Sequence, residues 1–213
     1  RTGSAILDGA PTRMINVPRH VGKSTLLTQG LAIQLACAYE NIAILIVNEI
    51  EAGATKFLGA IKAQFEDNEL LRLLFPERIP DFRTTRWSET EATLRRTESR
   101  KEPTFKAVGV GGAITGLHPD VVLLDDLISD EAAENARAGS WTLIEKTNRW
   151  VDRLRPIINP ARPCSGILVV GTRWWEHDTY EHIEKSFGYG ETPRGVPLYC
   201  KVENGVTQTV ETY

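Results

Sequence analysis

Long apolar runs are missing from this sequence. No stretch approaches the roughly 20 residues that a membrane-crossing helix needs, and no segment has the layout of a secretory signal. Cysteine is scarce: Cys37, Cys164 and Cys200 are an odd set at unrelated spacings. That excludes a disulfide framework and a cysteine-based zinc site, and it points to a reducing compartment. His20, His118, His177 and His182 show no metal-ligand spacing, and no Ser-His-Asp or Cys-His constellation stands out. Internal repeats and low-complexity tracts are absent too. The charge has no strong bias: 25 Lys and Arg against 28 Asp and Glu leave a net of −3. Any contact with nucleic acid must therefore come from a local patch. The chain opens at Arg1 without methionine and closes on a polar segment, so a piece of a longer protein is expected.

What is present suits one α/β domain, with 213 residues and 41% hydrophobic content. The chain is organised around Met14-Ile15-Asn16-Val17-Pro18-Arg19-His20-Val21-Gly22-Lys23-Ser24-Thr25. An apolar strand end at Ile15–Val17 runs into a tight loop. The loop ends in Gly-Lys-Ser-Thr and opens a helix with Leu27, Leu31, Gln34/Leu35 and Ala38 at helical spacing. Phosphate binding needs this order, because loop amides wrap the anion and the helix N-terminus adds positive dipole. Pro18 through Thr25 form the candidate nucleotide-binding loop, a variant of G-x-x-x-x-G-K-[ST] with Val17 in place of the first glycine. Lys23 would reach the β- and γ-phosphates and the Ser24 hydroxyl would ligate Mg²⁺. Gly22 lets backbone approach the phosphate, and His20 would shape the loop.

Downstream the strands read as buried runs, as a parallel sheet covered on both faces requires. Ile42–Val47 ends in Asn48 and Glu49, and Ala54, Phe57, Leu58, Ile61 and Phe65 line the next helix, which is expected to continue through 70–75 to Pro76. Residues 76–104 interleave Arg78, Arg83, Arg86, Arg95, Arg96, Arg100 and Lys101 with Trp87 and several acids. They read either as a solvated excursion or as a face for nucleic acid or a neighbouring subunit. After a strand at 105–110 and a glycine-rich loop, Val121-Val122-Leu123-Leu124 runs into Asp125-Asp126. Asp125 at the strand tip would hold Mg²⁺ with Ser24, and Asp126 would orient and deprotonate the attacking water. Ser140 can cap a helix bearing Leu143, Thr147, Trp150/Val151 and Leu154. Ile167–Val170 is a last buried strand, ending in Gly171 and Thr172. Thr172 would sense the γ-phosphate through a water, and Arg173 is a charge stabiliser or an ion-pair partner of Asp178. A helix over 179–187 and a hairpin in 199–213 turning at Asn204-Gly205 complete the chain.

Three motifs in order resemble the large terminase subunits of tailed bacteriophages: Pro18–Thr25 as a divergent Walker A loop with Arg19 inside it, Val108–Asp126 as the lead-in to the Walker B strand, and Gly171–Asp178 as the coupling motif. The resemblance covers roughly 12–185. It implies a P-loop NTPase of the additional-strand type, a mainly parallel sheet flanked by helices in which the coupling strand lies between or beside the phosphate-loop and acid-tipped strands. It implies ATP and Mg²⁺, catalytic Lys23, Arg19, Thr172 and Asp126, and metal ligands Ser24 and Asp125. It also implies an ATP-driven motor in the host cytoplasm that drives double-stranded viral DNA into a prohead, as a homo-oligomeric and expectedly pentameric ring with portal protein and small terminase subunit as partners and no membrane. Residues 1–190 would form the ATPase domain, and 191–213 the start of a linker toward an absent nuclease domain. Arg95, Arg96 and Arg100 are candidates for an arginine finger donated in trans. The alternative is a RecA-like helicase or DNA-repair ATPase, which could share the loop and the acid-tipped strand; a nucleoside kinase fits less well, since no lid stands out.

Overall fold

A computed structural model describes residues 12–19, 21–159, 164–173, 177–187, 198–203 and 206–211, the last two stretches in backbone alone. Strand β1 (Thr12–Asn16) leads through the loop into α1, which is π-helical over Ser24–Gly30 and α-helical over Leu31–Ala38. Then come β2 (Ile44–Asn48), α2 (Glu51–Asp67), α3 (Glu69–Leu74), β3 (Glu91–Ala92), β4 (Phe105–Gly109), β5 (Val121–Asp125), α4 (Asp130–Arg137), α5 (Thr142–Val151), β6 (Gly166–Gly171) and α6 (Thr179–Phe187). A separate antiparallel pair, β7 (Leu198–Glu203) and β8 (Val206–Glu211), carries the expected hairpin, whose turn residues lie outside the described set.

Six strands form one sheet in the order β1-β6-β5-β2-β4-β3, all parallel except β3 at the edge. The coupling strand, expected between or beside 12–17 and 121–125, lies between them as β6. Side chains alternate across the sheet, and both faces are covered. Ile44, Ile46, Leu123, Leu168 and Val170 face one core with Leu35, Leu58, Ile61 and Phe65 from α1 and α2. Leu45, Val47, Leu124, Ile167 and Val169 face the other, with Trp150 and Val151 from α5 and Tyr180 and Ile183 from α6. The central strands are apolar up to their carboxyl tips because neither face meets water.

Several local expectations change. The helix after β2 breaks at Asn68, which is extended at φ −78°, ψ 100° and whose side chain accepts from Leu71 N at 3.0 Å, so α3 starts afresh. On α1 the buried residues are Thr28, Leu31, Ala32, Leu35, Ala36 and Cys37, while Gln34 and Ala38 are exposed. Helix α4 went unread in the sequence, although Ser129 caps it by accepting from Ala132 N at 3.0 Å. Ser140 does not cap α5; Trp141 holds that position, and the Ser140 amide donates back to Asn135 O at 2.8 Å.

Three arginines of the basic excursion are tied into the fold, while Arg83, Arg86, Arg95 and Lys101 are exposed as a solvated excursion would have them. Arg78 is buried against Glu40 at 3.2 Å and Cys37 O at 3.3 Å. Arg96 donates to Glu102 O at 2.6 Å and Thr104 Oγ1 at 3.1 Å, and its burial brings the guanidinium pKa down to about 10. Arg100 meets Asn41 O and the fully buried Asp120 at 2.5 and 3.2 Å. Asp120 also accepts from Ala43 N at 2.8 Å and Asn159 Nδ2 at 3.2 Å, joining four segments at the amino end of β5. Arg96 and Arg100 are thus committed to internal partners, which removes the ground for assigning either as a finger.

Asp120→Ala should test this node. Removing one partner of a buried pair typically costs about 3–5 kcal/mol, because the other charge stays buried. At roughly 2–4 °C per kcal/mol for a chain of this size, the melting temperature should fall by about 6–20 °C. Calorimetry or a thermal melt reads this directly, and a change under about 2 °C would mean that the node is not load-carrying.

Candidate functional site

The carboxyl ends of β1, β6 and β5 converge on one pocket of about 310 Å³, lined by Arg19, Gly22, Lys23, Ser24, Thr25 and Asp126. Strand pairing sets the spacing: Asn16 is in register with Gly171, and Asp125 with Val170. Past the tips, Val17 N donates to Gly171 O at 3.0 Å and Asp126 N to Val170 O at 3.1 Å, which extends the ladder into the site. Gly22 takes φ +73°, a conformation in which a Cβ is strained, and turns the loop into the helix. Leu26 N donates to Gly22 O at 3.0 Å. The amides that open the helix have no intrahelical acceptor, and with the positive end of the helix dipole they could receive an anion.

Lys23 sits at the centre. Its side chain is 8% exposed, and Nζ lies 2.9 Å from Asp126 Oδ1 and 2.9 Å from Thr172 Oγ1. The Thr172 hydroxyl donates its one proton to Val17 O at 3.0 Å, so it receives Lys23 through a lone pair. One residue thereby ties the backbone of the glycine-lysine loop to the lysine. Arg19 stands at the exposed rim, paired with Asp130 at 2.7 Å. Arg173 takes the ion-pair alternative, with Asp178 at 3.3 Å and Glu184 at 3.1 Å. His20 lies outside the described residues.

Asp125 is fully buried. Its Oδ2 accepts from Thr28 Oγ1 at 2.6 Å, while no donor among the described residues reaches Oδ1. Burial pushes its pKa above the ordinary carboxylate value, against the pull of the Thr28 and Ser24 hydroxyls. A buried carboxylate oxygen without a donor, beside a serine hydroxyl, is what a bound cation would satisfy. Among the described residues no three His, Cys, Asp or Glu side chains gather as a metal cage. That donor set matches Mg²⁺, which commonly takes one or two protein ligands and completes its shell with phosphate and water. Asp126, next along, is a non-glycine residue at φ +45°, and such outliers collect at functional sites when their surroundings hold them.

The structure thus brings together Arg19, Gly22, Lys23, Ser24, Thr25, Asp125, Asp126 and Thr172 from the sequence reading. Two contributors were not singled out as site residues. Thr28 holds Asp125, and its signal is a polar residue one turn after Ser24 on the buried side of α1. Asn48 at the tip of β2 donates to Asp125 O at 2.8 Å. The sequence reading placed Asn48 at the end of its strand without giving it a role.

A mostly parallel six-stranded sheet flanked by helices, with a glycine-lysine loop at its carboxyl edge, is an α/β architecture consistent with a P-loop-like fold. No protein-family model matches the chain. The chain is 26% identical over 173 residues to the large terminase subunit of Enterobacteria phage T3, in an alignment that covers 80% of this chain and 27% of that protein. This is a distant likeness, and the chain spans about a quarter of the relative's length. Among the described residues no helix is long and apolar enough to cross a membrane.

Proposed function

We propose that this chain is the ATPase portion of a viral DNA-packaging motor, a P-loop NTPase of the additional-strand type. The observation that carries the reading is the Lys23 ammonium, held between Asp126 and Thr172 where three parallel strand ends meet. The position of β6 between β1 and β5 and the likeness to a terminase subunit support it further. On this reading double-stranded DNA, a portal protein and a small terminase subunit are the partners, the subunits form a ring, and the protein acts in the host cytoplasm. Residues 1–190 form the ATPase domain on this reading, and 191–213 the start of a linker toward a nuclease domain.

The residues divide the work. Loop amides from Pro18 to Thr25 cradle the phosphates, and Lys23 places charge on the β- and γ-oxygens. Ser24 and Asp125 would hold Mg²⁺, which when bound neutralises charge on the same phosphates. Asp126 accepts the proton of a water that attacks the γ-phosphorus in line, as the bond to the β-bridging oxygen breaks. Thr172 keeps Lys23 aimed, and Arg19 leaves Asp130 to meet the nucleotide.

Asp126→Asn is the direct test. Nucleotide affinity should stay within about threefold, while hydrolysis should fall by about 10²–10⁴-fold, the usual contribution of a positioned base. Turnover within about threefold of wild type would reverse the assignment. Hydrolysis measured with and without double-stranded DNA, together with prohead packaging by the full-length protein, separates a packaging motor from a helicase. Strand separation without packaging would favour the helicase.

A further inference from the structure

Tyr180 is fully buried, although it carries a hydroxyl. Its ring, presented by α6, lies over Gly171 at the tip of β6 so closely that a Cβ there would collide with it. Its oxygen accepts from Leu127 N at 3.2 Å, the amide that follows Asp126. The residue thus touches the tips of two strands, one ending beside Thr172 and the other in Asp125-Asp126.

That contact falls where the backbone needs support. Asp126 sits at φ +45°, a strained setting for a residue with a side chain. Its own amide donates to Val170 O at 3.1 Å, and its carbonyl accepts from Glu49 N at 3.3 Å. Asn48 Nδ2 holds the carbonyl of Asp125 at 2.8 Å. These bonds secure the turn up to the Asp126 carbonyl. The next amide, that of Leu127, is 1% exposed at the residue level and its partner is the Tyr180 hydroxyl. Burial, and then the nearby Asp126 carboxylate, raise the Tyr180 pKa, so the hydroxyl keeps its proton. Helix α6 is itself anchored: Asp178, 1% exposed, accepts from Glu181 N at 3.0 Å and pairs with Arg173.

We propose that Tyr180 is a positioning residue for Asp126: by receiving the Leu127 amide and filling the space over Gly171, it holds the left-handed turn that points the Asp126 carboxylate at Lys23. The inference rests on the catalytic reading of Asp126 given above. It also makes the start of α6 a mechanical neighbour of the site, with displacement of that helix felt first at Asp126.

Tyr180→Phe keeps the ring and removes the acceptor, and the full-length protein is the sample. Loss of one hydrogen bond behind the reacting group should lower kcat by about tenfold with KM within about twofold. Exchange of the Leu127 amide, read by mass spectrometry on a peptide spanning 126–130, should quicken by about tenfold, while peptides from β2 and α2 keep their rates. In the Asp126→Asn background the same change should cost no further turnover, because both act on one group. An unchanged Leu127 exchange rate, a kcat within twofold of wild type beside a disabled Asp126→Asn, or losses that multiply in the double variant would each overturn the proposal. Wild-type turnover in Asp126→Asn alone would instead overturn the catalytic reading on which it depends, and that variant identifies this case by itself.

Discussion

Lys23→Ala is expected to lower ATP turnover by roughly 10²–10³-fold or more, the scale on which a preorganised charge at a developing anion is lost. Lys23 is nearly buried and meets a carboxylate and a hydroxyl at 2.9 Å each, so on the proposed reading its ammonium is set in place in advance. Alanine removes that charge and leaves Thr172 bonded to Val17 O, so the loop keeps its anchor to β6. Asp126, whose side chain is 44% exposed, falls back on water. The fold should therefore survive with a melting temperature within a few degrees, and the loss should appear in kcat together with weaker nucleotide binding. Single-turnover hydrolysis and a nucleotide-binding isotherm measure both, and turnover within threefold of wild type would remove Lys23 from the proposed chemistry.

Asp125→Asn should do two opposite things. Without metal it should make the protein more stable at neutral pH, because a carboxylate buried with one oxygen undonated opposes folding. The sign follows from the raised folded pKa. Between the ordinary value of 3.8 and that higher value the folded state binds the extra proton, so the penalty is absent below 3.8 and complete above the folded pKa. A gain of about 1 kcal/mol is the scale for relieving an unsatisfied buried group, or about 2–4 °C in melting temperature. The gain should shrink as pH falls through that window. With Mg²⁺ and nucleotide present the order reverses: wild type is stabilised by ligand and the variant is not, and turnover falls at least 10²-fold. Paired melts at two pH values, with and without Mg²⁺-nucleotide, give all four numbers. A variant less stable than wild type in the metal-free melt would show that the orphaned oxygen is not a burden.

Sequence reasoning reached the strands and most residues of the candidate site because both rest on short-range patterns. Val121–Leu124 and Ile167–Val170 are runs of branched apolar residues with a polar residue at the tip, and that pattern alone marks a buried parallel strand and its ligand end. Gly22-Lys23-Ser24 before a helix identifies its own neighbourhood. Strand order came from resemblance, since nothing in the runs themselves says which lie side by side. The relations across long stretches of chain were not accessible. Thr28 to Asp125, Asn48 to Asp125 and Tyr180 to Leu127 each join residues whose types have ordinary local roles. The basic excursion misled in the same way. Arg83, Arg86 and Arg95 are exposed, but Arg78 and Arg100 look equally solvent-directed until Asp120, Glu40 and the carbonyls of Asn41 and Cys37 are brought under them. Helix α4 escaped because its apolar face consists of Ala132, Ala133 and Ala136, too small to raise a periodic signal.

The bond from Thr172 to Val17 spans 155 residues of sequence. On a ribosome the loop and its lysine emerge well before the strand that must lie beside β1. At about 5–20 residues per second, roughly 8–31 s separate the synthesis of the two partners. Through that interval the glycine-lysine loop is a disconnected end beside an unpaired strand. Until then the contact of Thr172 with Val17 and Lys23 is missing, and β1 must be kept from other strand edges until β6 arrives.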